Sequence, residues 1–222
     1  MEEPLQYINI PGFEHYPHVI STWVIMIILA ITSYLVTRGL KNIPEGWGQN
    51  FFEAAVEGIA NFMDETMGHG GSRYISLIGT LVFSILFSNL IGLIPGFISP
   101  TANVNTNAAM AVVVFLAYHY IGINKHGIVK YIKSFTGPLW WLAPIIFPIE
   151  IITHLARPLT LTLRLFGNIK GEDIVLIILA SIVPLFIPVP MMFLAIFTSI
   201  IQTLVFTLLS MLYIAGALEE HH

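Results

Sequence analysis

Hydrophobic residues run along this chain in long uninterrupted stretches, with little of the strict alternation that marks half-buried strands. The first stretch, Val19 to Thr37, is about 19 residues, enough for a helix to cross a ~30 Å hydrocarbon core. It closes at Arg38 and Lys41. A second begins near Tyr74, has its heart at Phe83 to Phe97, and is closed by Pro95-Gly96 and Pro100. Ala108 to Ile123 forms a third. From Leu142 the apolar character persists almost to Leu218, divided by Pro184, Pro188 and Pro190. Proline removes a backbone donor and breaks helix interiors, so that cluster reads as a turn. From Pro144 to Val183 the pattern permits one helix of about 40 residues, some ~60 Å long and twice the bilayer core. Such a helix must tilt steeply or break. A break at Asn168-Ile-Lys-Gly-Glu-Asp173 would add a crossing and put the C-terminus outside; the continuous, tilted helix is preferred because of the polar stripe described below. The pattern therefore predicts an all-α polytopic membrane protein, a single membrane domain over residues 1–222 with about five transmembrane helices, in which 144–218 is a long helical hairpin.

One segment departs from this plan. Between the first two spans, Phe52, Val56, Ile59 and Met63 recur at helical spacing while Glu53, Glu57 and Asp64 fall elsewhere, which predicts an amphipathic surface helix over 49–66. Its polar face is acidic, so packing against a partner subunit explains it better than attraction to anionic lipid.

Composition narrows the class further. Of 222 residues, 56% are hydrophobic and only 10% charged, against about 25% charged in a soluble domain. Most of the surface must face lipid or other membrane segments. A net charge of -4 gives no electrostatic case for nucleic acid. The absence of cysteine excludes disulfides and thiolate metal sites. His15-Tyr-Pro-His18 lacks a third ligand and reads as plain surface residues, so no metal and no cofactor is expected. The polar, acidic residues 1–18 lack the basic region of a cleaved signal and read as an external N-terminal segment. Arg38, Lys41, Arg73, Lys125, Lys130 and Lys133 then all fall on the cytoplasmic side, as the positive-inside rule expects, with the C-terminus cytoplasmic too.

The remaining three basic residues, Arg157, Arg164 and Lys170, lie within the apolar C-terminal half. On a helical wheel Glu150, His154, Arg157, Arg164, Asn168 and Glu172 share about 80° of one face. Each intramembrane charge costs about 2.5–3.5 kcal/mol on the insertion scale. Internal pairs, such as Glu150 with His154 or Arg157, account for the lower half of the stripe. Arg164 is left without a local anion, because Glu172 is two helical turns away. A face of this kind borders water or an ion-carrying partner.

The residues around Arg164 carry a resemblance. Arg157-Pro-Leu-Thr-Leu-Thr-Leu-Arg164-Leu-Phe-Gly-Asn168 resembles the signature of subunit a of F-type ATP synthases, in which the second arginine faces the rotor. Ser88-Asn-Leu-Ile-Gly-Leu-Ile-Pro95, Pro100-Thr-Ala-Asn-Val-Asn-Thr106, Gln202 and Tyr213-Ile-Ala-Gly-Ala-Leu-Glu-Glu220 extend the likeness across nearly the whole chain. The resemblance implies a non-catalytic stator subunit of the bacterial inner membrane that passes protons or sodium ions through two half-channels beside a ring of c subunits. Its partners would be those c subunits, the b subunits of the peripheral stalk, the rest of the synthase and membrane lipid. The hairpin 144–218 would be the ion-translocating unit, tilted beside the ring. Arg164 would attract the ring carboxylate and block leakage, Glu150 would belong to the cytoplasmic half-channel, and Asn168, Glu172 or Asp173, and Gln202 to the outer one. No G-x-x-x-x-G-K-[ST] phosphate loop occurs, so nucleotide chemistry belongs to other subunits.

Two positions depart from the family pattern. Its acidic residue nine places after the arginine is here Asp173, which falls about 140° round the wheel, away from the stripe that holds Glu172. Lys170 can pair with Asp173, leaving Glu172 as the expected relay. The histidine or acid that many members carry seven before Gln202 is Ala195, so the outer pathway would rely on carboxylate, amides, the hydroxyls of Thr198 and Ser199, and water. A stand-alone secondary transporter or channel is the competing class. Its usual internal repeats have no counterpart, since the charged stripe and proline cluster occur once. A membrane scaffold without transport gives no reason for Arg164 and Glu150.

Overall fold

The computed structural model describes residues 17–38, 46–68, 71–94, 97–135, 141–182 and 188–219. Among these residues are seven α-helices: α1 (Pro17–Thr37), α2 (Trp47–Met67), α3 (Ile75–Ile91), α4 (Val104–His126), α5 (Ile128–Ser134), α6 (Ala143–Ile182) and α7 (Pro188–Leu218). Single 3-10 turns at Gly71–Tyr74 and Pro100–Ala102 lead into α3 and α4. Five helices are long and apolar enough to span a bilayer, at His18–Thr37, Gly71–Ile91, Val104–His126, Ala143–Leu179 and Val189–Leu218. The fold is an all-α polytopic membrane protein. Of the segments expected from the sequence, residues 1–16, Lys41 and Pro184 lie outside the described residues.

α4 packs along α6, and α7 lies against α3, α4, α2 and α6. Their shared interior holds Ile78 and Ile85 of α3, Val114 and Tyr118 of α4, Leu161 and Leu165 of α6, and Phe206, Met211 and Ile214 of α7. Lipid tails are as apolar as leucine, so such an interior is held by close packing and interhelical hydrogen bonds rather than by escape from water. α1 leaves Trp23, Met26, Ile27, Ile31 and Leu35 largely uncovered.

α6 runs unbroken for 40 residues, through Asn168 to Asp173, despite Pro148 and Pro158 in its interior. No extra crossing arises there. Pro188 and Pro190 fall in the first turn of α7, where a missing N–H leaves no helical bond unmade.

Three local features differ from the sequence reading. α3 ends at Ile91, short of Phe97, because the chain turns at Gly92 against Ser99; a Cβ on Gly92 would stand 2.6 Å from the Ser99 Cβ. The stretch after Lys125, for which the sequence pattern predicts no element, turns at Gly127 (φ 78) and forms α5, whose Tyr131 is buried against Gly122. α2 covers its own apolar face in part: Met63 is fully buried and Ile59 and Phe62 join the core, while Phe51 and Val56 stay exposed. Intrachain docking therefore accounts for half of what the sequence reading attributed to a partner subunit.

Gly122→Val should push the Tyr131 ring off α4 and free α5, since the added branch would occupy the space of that ring. Trypsin should then cut faster after Lys130 and Lys133 in membrane vesicles. Gly79→Ala, with nothing near the new methyl, should leave the cleavage rate unchanged and stabilise α3 by about 0.5–1 kcal/mol.

Candidate functional site

The buried face of α6 is centred on Leu161, Leu165 and Ile169, and the polar stripe follows one margin of that face. Its residues consequently meet different surroundings. At the start, His154 Nε2 lies 3.2 Å from Glu150 Oε1, one helical turn back. His154 Nδ1 is 3.0 Å from the hydroxyl of Tyr118 on α4. Of the two internal partners the sequence offered Glu150, the structure builds His154. Arg157 turns inward, its guanidinium over the rings of Tyr118 (5.5 Å) and Tyr213 (5.0 Å). A delocalised cation over an aromatic face gains about 0.5–2 kcal/mol, more as it is desolvated. Phe135 and His119 close the aromatic nest around the imidazole, with centroids 4.6 Å and 5.3 Å away. Below it, on α5, burial pushes the Tyr131 phenol up, opposed in part by the Arg157 cation.

Arg164 is different. It is exposed on α6 beside Leu163 and Gly167, and among the described residues it makes no hydrogen bond or ion pair. The carboxylates further along do not approach it. Asp173 pairs with Lys170 at 4.0 Å, and Glu172 lies eight residues on, about 12 Å along the axis.

Beyond Arg164 the stripe meets α7. Asn168 Nδ2 donates to Gln202 Oε1 at 2.5 Å, joining the two long helices. Gln202 is only 2% exposed and its Nε2 has no partner among the described residues. The same holds for the buried Oε1 of Glu172. Thr198 sits beside that carboxyl group but donates its own proton to the Leu194 carbonyl at 3.0 Å. Ala195 is buried and contributes no polar atom.

A buried polar network behind α7 was not singled out from sequence. Thr101 Oγ1 donates to Asn89 Oδ1 (2.7 Å), Asn107 Nδ2 donates to the Thr101 carbonyl (2.7 Å), and Asn89 Nδ2 reaches the Ser199 carbonyl (3.5 Å). Ser99 completes it, its hydroxyl donating to the Ser88 carbonyl at 2.7 Å and lying 2.6 Å from Thr101 Oγ1. Asn107 is fully buried, yet its Oδ1 has no partner among the described residues. Buried amides at apolar depth were the available signal, but only the fold brings them together. An orphaned donor and acceptors in a polar interior are the sites ordered water fills.

No group of three histidines or carboxylates able to hold a metal occurs among the described residues. His15 lies outside them, and His18 Nδ1 faces Asn103 Nδ2 at 3.4 Å.

Comparison with known proteins places these residues in a family. The family model of the ATP synthase A chain matches residues 19–215. The chain is 53% identical over 225 residues to ATP synthase subunit a 1 of Syntrophotalea carbinolica, covering 100% of this chain and 95% of that protein. It is 54% identical to ATP synthase subunit a of Trichlorobacter lovleyi (92% and 88% covered) and 54% identical to that of Geobacter sulfurreducens (90% and 87%).

Asn168→Ala should destabilise the α6–α7 pair by about 1–3 kcal/mol, because it strips Gln202 Oε1 of its partner and leaves both amide atoms buried and unpaired among the described residues. The denaturant midpoint of the purified protein in detergent reads this directly. Thr160→Ala, whose exposed hydroxyl bonds only its own helix, should move the midpoint far less.

Proposed function

The chain belongs to the ATP synthase A chain family, and from that membership and the geometry of α6 and α7 we propose that it passes protons through two half-channels that end on opposite sides of Arg164. As a family member it is a non-catalytic, multi-pass membrane subunit that serves ion translocation by the Fo sector within a larger complex. The observation that carries the proposal is the uncompensated charge of Arg164 on an exposed face of a spanning helix. Such a charge is tolerable where a mobile carboxylate from another chain can meet it.

On this reading the c-ring turns past the face of α6 that bears Leu163, Arg164 and Gly167. Each ring carboxylate is drawn to Arg164 in its ionised form, gives up its ion on one side and takes another on the other. Arginine suits the post because it stays charged at every relevant pH, whereas a lysine could shed its proton and become a leak. Glu150 stands on the inner path, about 21 Å along α6 from Arg164. Asn168, Glu172 and Gln202 stand on the outer one, with Asn89, Thr101 and Asn107 extending it behind α7. The spare hydrogen-bond atoms of Glu172, Gln202 and Asn107 support a water-filled path, the construction that suits protons. Uncovered apolar surface on α1 and the start of α2 is where the b subunits of the peripheral stalk would sit.

Orientation follows from charge. Lys125 Nζ donates to the Leu218 carbonyl at 2.6 Å, and Arg73, Lys125 and Glu219 line one cavity of about 1130 Å³, so the basic ends and the end of α7 share a side. The positive-inside rule makes that side cytoplasmic in a bacterial inner membrane and the start of α1 external.

Three outcomes test the proposal. Arg164→Ala should abolish ion-driven ATP synthesis in a complex that still assembles; near-normal ATP-driven pumping by that variant contradicts it. Glu172→Gln should slow synthesis severely, and Asp173→Asn only mildly, because Asp173 is engaged with Lys170 while Glu172 keeps a free buried oxygen. The reverse ranking, at equal amounts of assembled complex, would move the relay to Asp173. Single cysteines placed in this cysteine-free chain should react with an impermeant thiol reagent on intact cells at position 2 but not at 130 or 221.

A further inference from the structure

The imidazole of His154 is held by more groups than a place on an ion path requires. Tyr118 is 1% exposed and presents its hydroxyl to His154 Nδ1 at 3.0 Å. The opposite ring nitrogen, Nε2, meets Glu150 Oε1 at 3.2 Å. A phenol buried among aromatic rings must donate its proton somewhere, and Nδ1 is the acceptor it faces. If Nδ1 accepts, the ring's proton sits on Nε2, where it points at the carboxylate. One neutral tautomer thus satisfies both bonds at once.

We propose that Tyr118 is a positioning residue for ion transfer: its hydroxyl fixes His154 as the Nε2–H tautomer, and His154 in turn holds the Glu150 carboxylate at the inner half-channel. This rests on the reading of Glu150 as the inner carboxylate. Glu150 keeps 38% of its side chain exposed, so one oxygen is held while the other stays open to water. A carboxylate held in this way keeps its position each time an ion passes.

The groups around His154 come from every neighbouring element. On α6 they are Glu150 and Arg157; on α4, Tyr118 and His119; just past the end of α5, Phe135, with Tyr131 of α5 behind His119 at 5.9 Å. Tyr213 of α7 reaches the cluster through the Arg157 guanidinium. His119 does not compete for Glu150, because its Nδ1 bonds the Phe115 carbonyl of its own helix at 2.9 Å. Arg157 lies over the ring of Tyr118, so its charge is met by aromatic faces and leaves the carboxylate to His154.

The test uses the assembled synthase in inverted membrane vesicles. Initial rates of ATP synthesis under an imposed ion gradient are measured across the pH of the face that was cytoplasmic, per assembled complex. Tyr118→Phe keeps the ring and its packing but removes the hydroxyl. It should lower the rate about two- to tenfold, the loss of one buried neutral hydrogen bond, and move the pH of half-maximal rate. His154→Ala should do the same. His154→Gln should recover most of the rate, because its amide both accepts from Tyr118 and donates to Glu150. In a Glu150→Gln background, Tyr118→Phe should add no further loss. An equal loss in both backgrounds, or a His154→Gln variant as slow as His154→Ala, overturns the proposal. Glu150→Gln with a normal rate removes Glu150 from the inner path and this proposal with it. Glu150→Gln slow and Tyr118→Phe normal overturns this proposal alone.

Discussion

A guanidinium on the face of a membrane-spanning helix cannot lose its charge and pays about 2.5–3.5 kcal/mol to be there unless something answers it. In this chain nothing within the described residues answers Arg164. The rest of the bundle is arranged so that the deficit persists. α4 packs along the buried face of α6, α7 lies against α3 and α4, and the face carrying Leu163, Arg164 and Gly167 stays uncovered. Among the described residues of the hairpin the other two basic side chains are met locally, Arg157 over two tyrosines and Lys170 with Asp173. Arg164 is thereby left available, and the ion exchange proposed above depends on that availability.

The two ends of the stripe are built on opposite principles. Around His154 both ring nitrogens have partners and the aromatic rings pack closely. Around Gln202 the polar atoms outnumber their partners. Among the described residues Gln202, Glu172 and Asn107 each keep a buried atom unbonded, while Asn89 and Ser99 reach the carbonyls of Ser199 and Ser88 and Thr101 joins their side chains. A site with spare donors and acceptors holds water; a site without them holds geometry. The family to which the chain belongs serves ion translocation, and a closely packed end beside a hydratable end of one polar stripe is consistent with that task.

Much of this was legible in the sequence where the physics is local. Charges in an apolar run are costly enough to be meaningful by themselves, so Arg164 and its lack of a near anion stood out. Pairs at i,i+4 and i,i+3, Glu150–His154 and Lys170–Asp173, follow from helical spacing, and both are present. The uninterrupted α6 followed from a polar stripe that only a continuous helix keeps on one face. What depends on a second helix was not legible. Arg157 looked like a member of the stripe until α4 and α7 brought tyrosines to it. Asn89, Thr101 and Asn107 are far apart in sequence from Ser199, and only the fold shows them as one network. α5 and the docked half of α2 depend on Gly122 and on Met63 finding its pocket, matters of space rather than of pattern.

The central claim is that Arg164 faces a moving carboxylate on a neighbouring subunit. A photoreactive benzoylphenylalanine in place of Leu163, whose side chain is 52% exposed beside it, tests this in the assembled synthase. Irradiation should yield one dominant adduct, between this chain and the small ring subunit, and the adduct should stop ATP-driven rotation. An adduct only with lipid, or only with a stalk subunit, would mean that this face does not meet the ring and would contradict the account.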